Sequence, residues 1–82
     1  MKKIPFTLEI DKKTYSGYLG TNDQSEPPKT FFVFIDNMIV GDLDCLDGWR
    51  FMQKGSHLKQ LTQGECNAIA QHLGNIAVEW YE

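Results

Sequence analysis

Cysteine is scarce in this chain of 82 residues: Cys45 and Cys66 are the only two. They stand far apart with no scaffold spacing, which points to a reducing compartment and makes the cytoplasm the expected location. Spacing alone leaves a Cys45–Cys66 bridge open, because only Cα separation decides it. Basic charge is also in short supply. Eight Lys and Arg stand against eleven Asp and Glu, for a formal net charge of −3. The basic side chains are scattered singly or in pairs, whereas a nucleic-acid binder needs a basic stripe to neutralise phosphates. No nucleic-acid partner is therefore expected. Long apolar runs are missing as well. None approaches the roughly 20 residues that span a bilayer, so no membrane partner is expected. Pro5, Glu9 and Asp11 interrupt the N-terminal stretch before it could serve as the core of a signal peptide.

What is present belongs to a globular protein: 41% hydrophobic and 12% aromatic residues. Residues 1–82 make one domain, long enough to bury roughly 60–65% of its unfolded surface around a single core. The clearest segment is the last third. Cys66, Ile69, Ala70, Leu73, Ile76, Ala77 and Trp80 recur at three- and four-residue steps and fall within roughly 120° of a helical wheel. Thr62 followed by Glu65 has the form of a capping box, so the spacing predicts an amphipathic helix over residues 63–80. Gly74 in its middle costs about 1 kcal/mol relative to Ala, with no reason visible in the sequence.

The remainder reads as a sheet. Ile4, Phe6, Leu8 and Ile10 alternate with Pro5, Thr7 and Glu9, the period of a half-buried strand over residues 4–10. Pro5 cannot donate to a ladder and suggests an edge strand. A two-residue turn at Asp11-Lys12 pairs Ile10 with Lys13, Leu8 with Tyr15, Phe6 with Gly17 and Ile4 with Leu19. That register collects every large apolar side chain of the hairpin except Tyr18 on one face, and predicts a second strand over 13–19. Residues 20–29 form a polar loop of about ten residues, longer than usual. It reads as a mobile connection, with a partner-reading loop stiffened by Pro27-Pro28 as the alternative. Strands over 30–35 and 38–43 flank Asp36-Asn37, a good turn pair. Simple pairing there sets Ile35 opposite Met38, Val33 opposite Val40 and Phe31 opposite Asp42. On the other face it sets Phe34 opposite Ile39, Phe32 opposite Gly41 and Thr30 opposite Leu43. A fifth strand over 49–52 carries Trp49 and Phe51 on one face. The expected fold is α+β: an antiparallel meander of five strands with one C-terminal amphipathic helix on one sheet face.

No catalytic, cofactor or metal signature emerges. Cys45, His57, Cys66 and His72 are the right types for zinc, but their gaps of twelve, nine and six residues lack the close ligand pairs of such sites. The segment Asp42-Leu43-Asp44-Cys45-Leu46-Asp47-Gly48 is one residue too long before its glycine for a calcium loop, and no helix precedes it. Ser56-His57 has no accompanying acid or nucleophile elbow, and the glycines form no phosphate-cradling loop. No catalytic residues, cofactor or metal are assigned.

Two features point to binding instead. The hairpin over residues 30–43 is apolar on both faces, while one helix can cover only one. Phe31, Val33, Ile35, Met38 and Val40, or their neighbours of opposite parity, are therefore candidates for a partner-binding patch. The outer helix face, with Gly64, Asn67, Ala68, Gln71, Asn75 and Val78, also carries little charge. The expectation is a small non-enzymatic protein-interaction module, with a homodimer as one form. The alternative is a small-ligand binder or minimal enzyme with a pocket between helix and sheet, lined by Tyr15, Tyr18, Trp49 or His57.

Overall fold

Alternation in the first residues builds β1 (Lys2–Ile10), which turns into β2 (Lys13–Thr21). The computed structural model describes residues 2–81. Asp11 and Lys12 both take positive φ, 51° and 65°, as a type I′ turn requires. The register is the predicted one, with Ile10 opposite Lys13, Leu8 opposite Tyr15, Phe6 opposite Gly17 and Ile4 opposite Leu19. Lys12 accepts a conformation that costs an L-residue roughly 1–2 kcal/mol. A one-residue slip would cost more, because it would turn the hydrophobic set of one strand toward solvent.

β3 (Thr30–Ile35) and β4 (Met38–Cys45) are joined by Asp36-Asn37, again with positive φ at both residues. Ile35–Met38 and Phe34–Ile39 pair as simple counting predicts, but the rest of the ladder does not. A bulge sets Val33 opposite Gly41, Phe32 opposite Asp42, Phe31 opposite Leu43 and Thr30 opposite Asp44. Val40 is the extra residue, and it is buried beside Val33. The reason is chemical. Without the bulge Asp42 would share the face of Phe31 and Leu43 would take the opposite one; with it, Leu43 is fully buried and Asp42 moves to the uncovered face. An uncompensated aspartate in the core costs several kcal/mol, more than one unpaired ladder position. Gly41 assists, since a Cβ there would lie 2.5 Å from the Phe51 ring.

β5 (Trp49–Gln53) completes a five-stranded antiparallel sheet in the order β1-β2-β3-β4-β5. Helix α1 (Gln63–Tyr81) packs on one face of it. The predicted capping box is made: the Glu65 N–H donates to Thr62 Oγ1 at 3.1 Å, and the Thr62 N–H donates to Glu65 Oε1 at 2.9 Å. Between β5 and α1, the Gln53 side chain substitutes for a strand. Its Nε2 donates to the Lys59 carbonyl at 2.8 Å and its Oε1 accepts from the Leu61 N–H at 2.9 Å. That clamp holds Leu58 and Leu61 in the core.

Ile69, Ala70, Leu73 and Ala77 of α1 pack into a core formed by Ile4, Phe6, Leu8, Ile10, Leu19, Phe31, Val33, Ile35, Val40, Leu43 and Phe51. Cys66 and Ile76 lie at its margin, and Trp80, expected on the stripe, is 49% exposed. Gly74 now has a reason. A Cβ at this position would come within 2.5 Å of the Trp49 ring, so the helix approaches β5 closely only because that side chain is missing. In an exposed helix Gly→Ala stabilises by about 1 kcal/mol; here Gly74→Ala is expected to destabilise by roughly 1–3 kcal/mol through overpacking. Urea unfolding checks this, and a higher midpoint would mean that Trp49 swings aside freely. No helix among the described residues is long and apolar enough to cross a membrane.

Candidate interaction face

The side of the sheet away from α1 is set by register alone. Reading across the strands, Pro5, Tyr18, Phe34 and Ile39 stand side by side in one row. The next row is Lys3, Gly20, Phe32, Asp42 and Met52, and beyond it lie Thr30, Asp44 and Arg50. An apolar band therefore crosses four strands at the middle of a face that no other element of the fold covers. The Tyr18 and Phe34 rings stack with centroids 4.7 Å apart and planes 17° from parallel. The Lys3 ammonium sits 4.8 Å from the Tyr18 centroid. Ile39 is 41% exposed and Met52 51%.

Of the five residues the sequence nominates, Phe31, Val33, Ile35 and Val40 are core, at most 3% exposed. Met38 is the exception: it pairs with Ile35 at the end of the hairpin and is open to solvent. The surface belongs to their neighbours of opposite parity, Phe32, Phe34 and Ile39. The polar alternation of β1 shows which face of the first hairpin is covered. Carrying that face to β3 needs the β2–β3 register, Leu19 opposite Val33, which a ten-residue loop hides from counting.

Charges frame the apolar band. Asp42 Oδ2 meets Lys54 Nζ at 2.6 Å and Asp44 Oδ2 meets Arg50 Nη2 at 3.2 Å. Such exposed pairs contribute little, about 0–1 kcal/mol each. Asp42 Oδ1 is enclosed and has no hydrogen-bond partner among the described residues. At one edge, Pro5 interrupts the donors of β1, and His72 Nε2 donates to the Thr7 carbonyl at 2.8 Å. Both features blunt β1 as a template for adding strands.

The polar loop is built around one carboxylate. Asp23 Oδ1 accepts the Ser25 N–H at 2.9 Å, and Oδ2 accepts the Lys29 and Thr30 N–H groups at 2.7 and 3.2 Å. These amides, Lys29 first and Ser25 next, hold the Asp23 carboxyl well below the ordinary carboxylate range. A group with a lowered folded pKa stabilises fully above its unfolded value and loses that contribution only as the pH falls further. Asp23→Ala is accordingly expected to accelerate amide exchange at Lys29 and Thr30 at neutral pH. Unchanged exchange would show that the loop is held by other means. At the other end of the sheet, Lys59 Nζ bridges Asp11 at 2.5 Å and Glu65 at 3.0 Å. Asp11, then Glu65, raises the Lys59 pKa; the Thr62 amide, then Lys59, lowers that of Glu65.

The seam between helix and sheet ends in an open groove of about 570 Å³, lined by Pro27, Pro28, Phe31, Trp49, Ala77 and Val78, with Lys2 and Glu26. Trp49 is the one lining residue there that the sequence anticipates. Among the described residues the groove holds no nucleophile with a neighbouring base. Cys45 and Cys66 are both free thiols, and His57 Nε2 lies 3.1 Å from Asp36 Oδ2, among exposed turns. Among the described residues no three His, Cys, Asp or Glu side chains gather as a metal site would need. No protein-family model, curated protein or solved structure matches this chain.

Proposed function

We propose that this chain is a small non-enzymatic protein-interaction module, working in the cytoplasm, that docks its partner on the uncovered sheet face. The observation behind this reading is the apolar row Pro5, Tyr18, Phe34 and Ile39 across four strands. Interfaces concentrate their energy in a central cluster of aromatic anchors ringed by polar groups. Here stacked Tyr18 and Phe34 provide the anchor, and Lys3, Asp42, Lys54, Asp44 and Arg50 provide the ring. The face is also rigid, since its backbone is laddered and its reverse side is core, so little ordering is required on binding.

Ile39→Lys tests the reading without touching the core. Tagged wild-type protein recovered from its own cell extract is expected to retain a partner that the variant loses, at equal yield and melting temperature. Equal recovery of the same partner by both proteins would overturn the assignment of this face. The second reading, a small-ligand binder or minimal enzyme, rests on the groove beside Trp49. It calls for thermal stabilisation of the purified protein by a metabolite, abolished by filling the groove with Val78→Trp.

A further inference from the structure

The uncovered face is complementary to itself, and we propose that its occupant is a second copy of this chain, packed sheet against sheet about a twofold axis parallel to the strands. This rests on the docking reading above and names the partner.

The argument comes from the two rows. A twofold axis running along β3 brings the β1–β2 side of one copy over the β4–β5 side of the other. The row Pro5–Tyr18–Phe34–Ile39 then folds on itself at Phe34, setting the Tyr18 ring of each copy against Ile39 of the other. The row Lys3–Gly20–Phe32–Asp42–Met52 folds at Phe32. Each Asp42 then faces Gly20 of the other copy, a position with no side chain to obstruct it, and Lys3 stands next in that row. Lys3, poised over Tyr18, is set opposite Met52 of the other copy and beside the Asp42 carboxylate, whose Oδ2 Lys54 already holds.

Charge and size agree. The chain carries a net charge of −3, yet the face balances Lys3, Arg50 and Lys54 against Glu9, Asp42 and Asp44, so two copies meet there without an excess of like charge. The two longer dimensions of the molecule, 33 and 25 Å, leave room for the roughly 800 Å² per partner of a standard interface. Aligned packing of two twisted sheets, about 10 Å apart with the helices outermost, is a common way to bury such faces.

The test is sedimentation equilibrium of the purified chain over a hundredfold range of concentration, with Ile39→Lys, Met52→Lys, Lys3→Glu and, on the helix side, Asn75→Lys. Wild type is expected to run at twice its 9.4 kDa mass. Ile39→Lys and Met52→Lys should each weaken the dimer at least about tenfold, and Lys3→Glu should weaken it while the dissociated chain stays folded by circular dichroism. Asn75→Lys should match wild type. A monomer at every concentration overturns self-association, as does a dimer unmoved by Ile39→Lys and Met52→Lys. If the monomer still holds a different protein that Ile39→Lys releases, the docking face stands and only its occupant is wrong. If Ile39→Lys changes neither measurement, both readings fall.

Discussion

Leu73→Asp is expected to abolish the cooperative unfolding transition of this protein. Leu73 is fully buried at the centre of the contact between α1 and the sheet. The carboxylate would face only apolar neighbours, and an unpaired buried charge belongs to the small class of substitutions that cost more than about 4–5 kcal/mol. A domain of this size has a total stability of only about 5–10 kcal/mol, and an isolated helix of this length is marginal in water without its sheet. Circular dichroism should show loss of both the helix signal and the melting transition. Gln71→Asp, on the exposed side of the same turn, is the control and should melt like wild type. A native melting curve for Leu73→Asp would mean that the helix does not pack as described.

Val33→Asp is expected to unfold the chain as well, and this outcome separates the two faces of the central hairpin. Val33 has no exposure, and Leu19 and Gly41 flank it across the ladder. Ile39→Lys, six residues away on the uncovered side, should keep its melting temperature within a few degrees, as surface substitutions away from special features do. The comparison is informative because both residues have the same character in the sequence: each is a branched apolar side chain in one of the two strands of the same hairpin. If Val33→Asp folds normally while Ile39→Lys does not, the helix covers the other face. In that case the docking surface would be Phe31, Val33, Ile35 and Val40.

The local elements were legible because their signals are local. A period of two marks β1, a capping box and a 3.6-residue period mark α1, and two turn pairs mark the hairpins. Each is a rule about neighbours in sequence, and each produced the expected element within two residues, with β1, β2 and β4 each two residues longer at one end. The first hairpin register was legible for the same reason, since a short turn leaves few choices and only one collects the apolar side chains.

The bulge, the reason for Gly74 and the identity of the uncovered face were not legible, and they share a cause. The bulge at Val40 follows from how Asp42 and Leu43 divide between the two faces, a preference that exists only once the helix has chosen its side. Gly74 answers to Trp49, far away in the chain, and nothing near it in sequence records that contact. The uncovered face depends on the β2–β3 register across the Asp23 loop, whose length leaves every pairing open. The sequence by itself determined the elements, their order and the amphipathic stripe that must be buried, because propensity, capping and periodicity act between near neighbours. Only the tertiary structure decided which apolar side chains became core and which remained as surface, because burial is settled by the whole sheet packing against one helix.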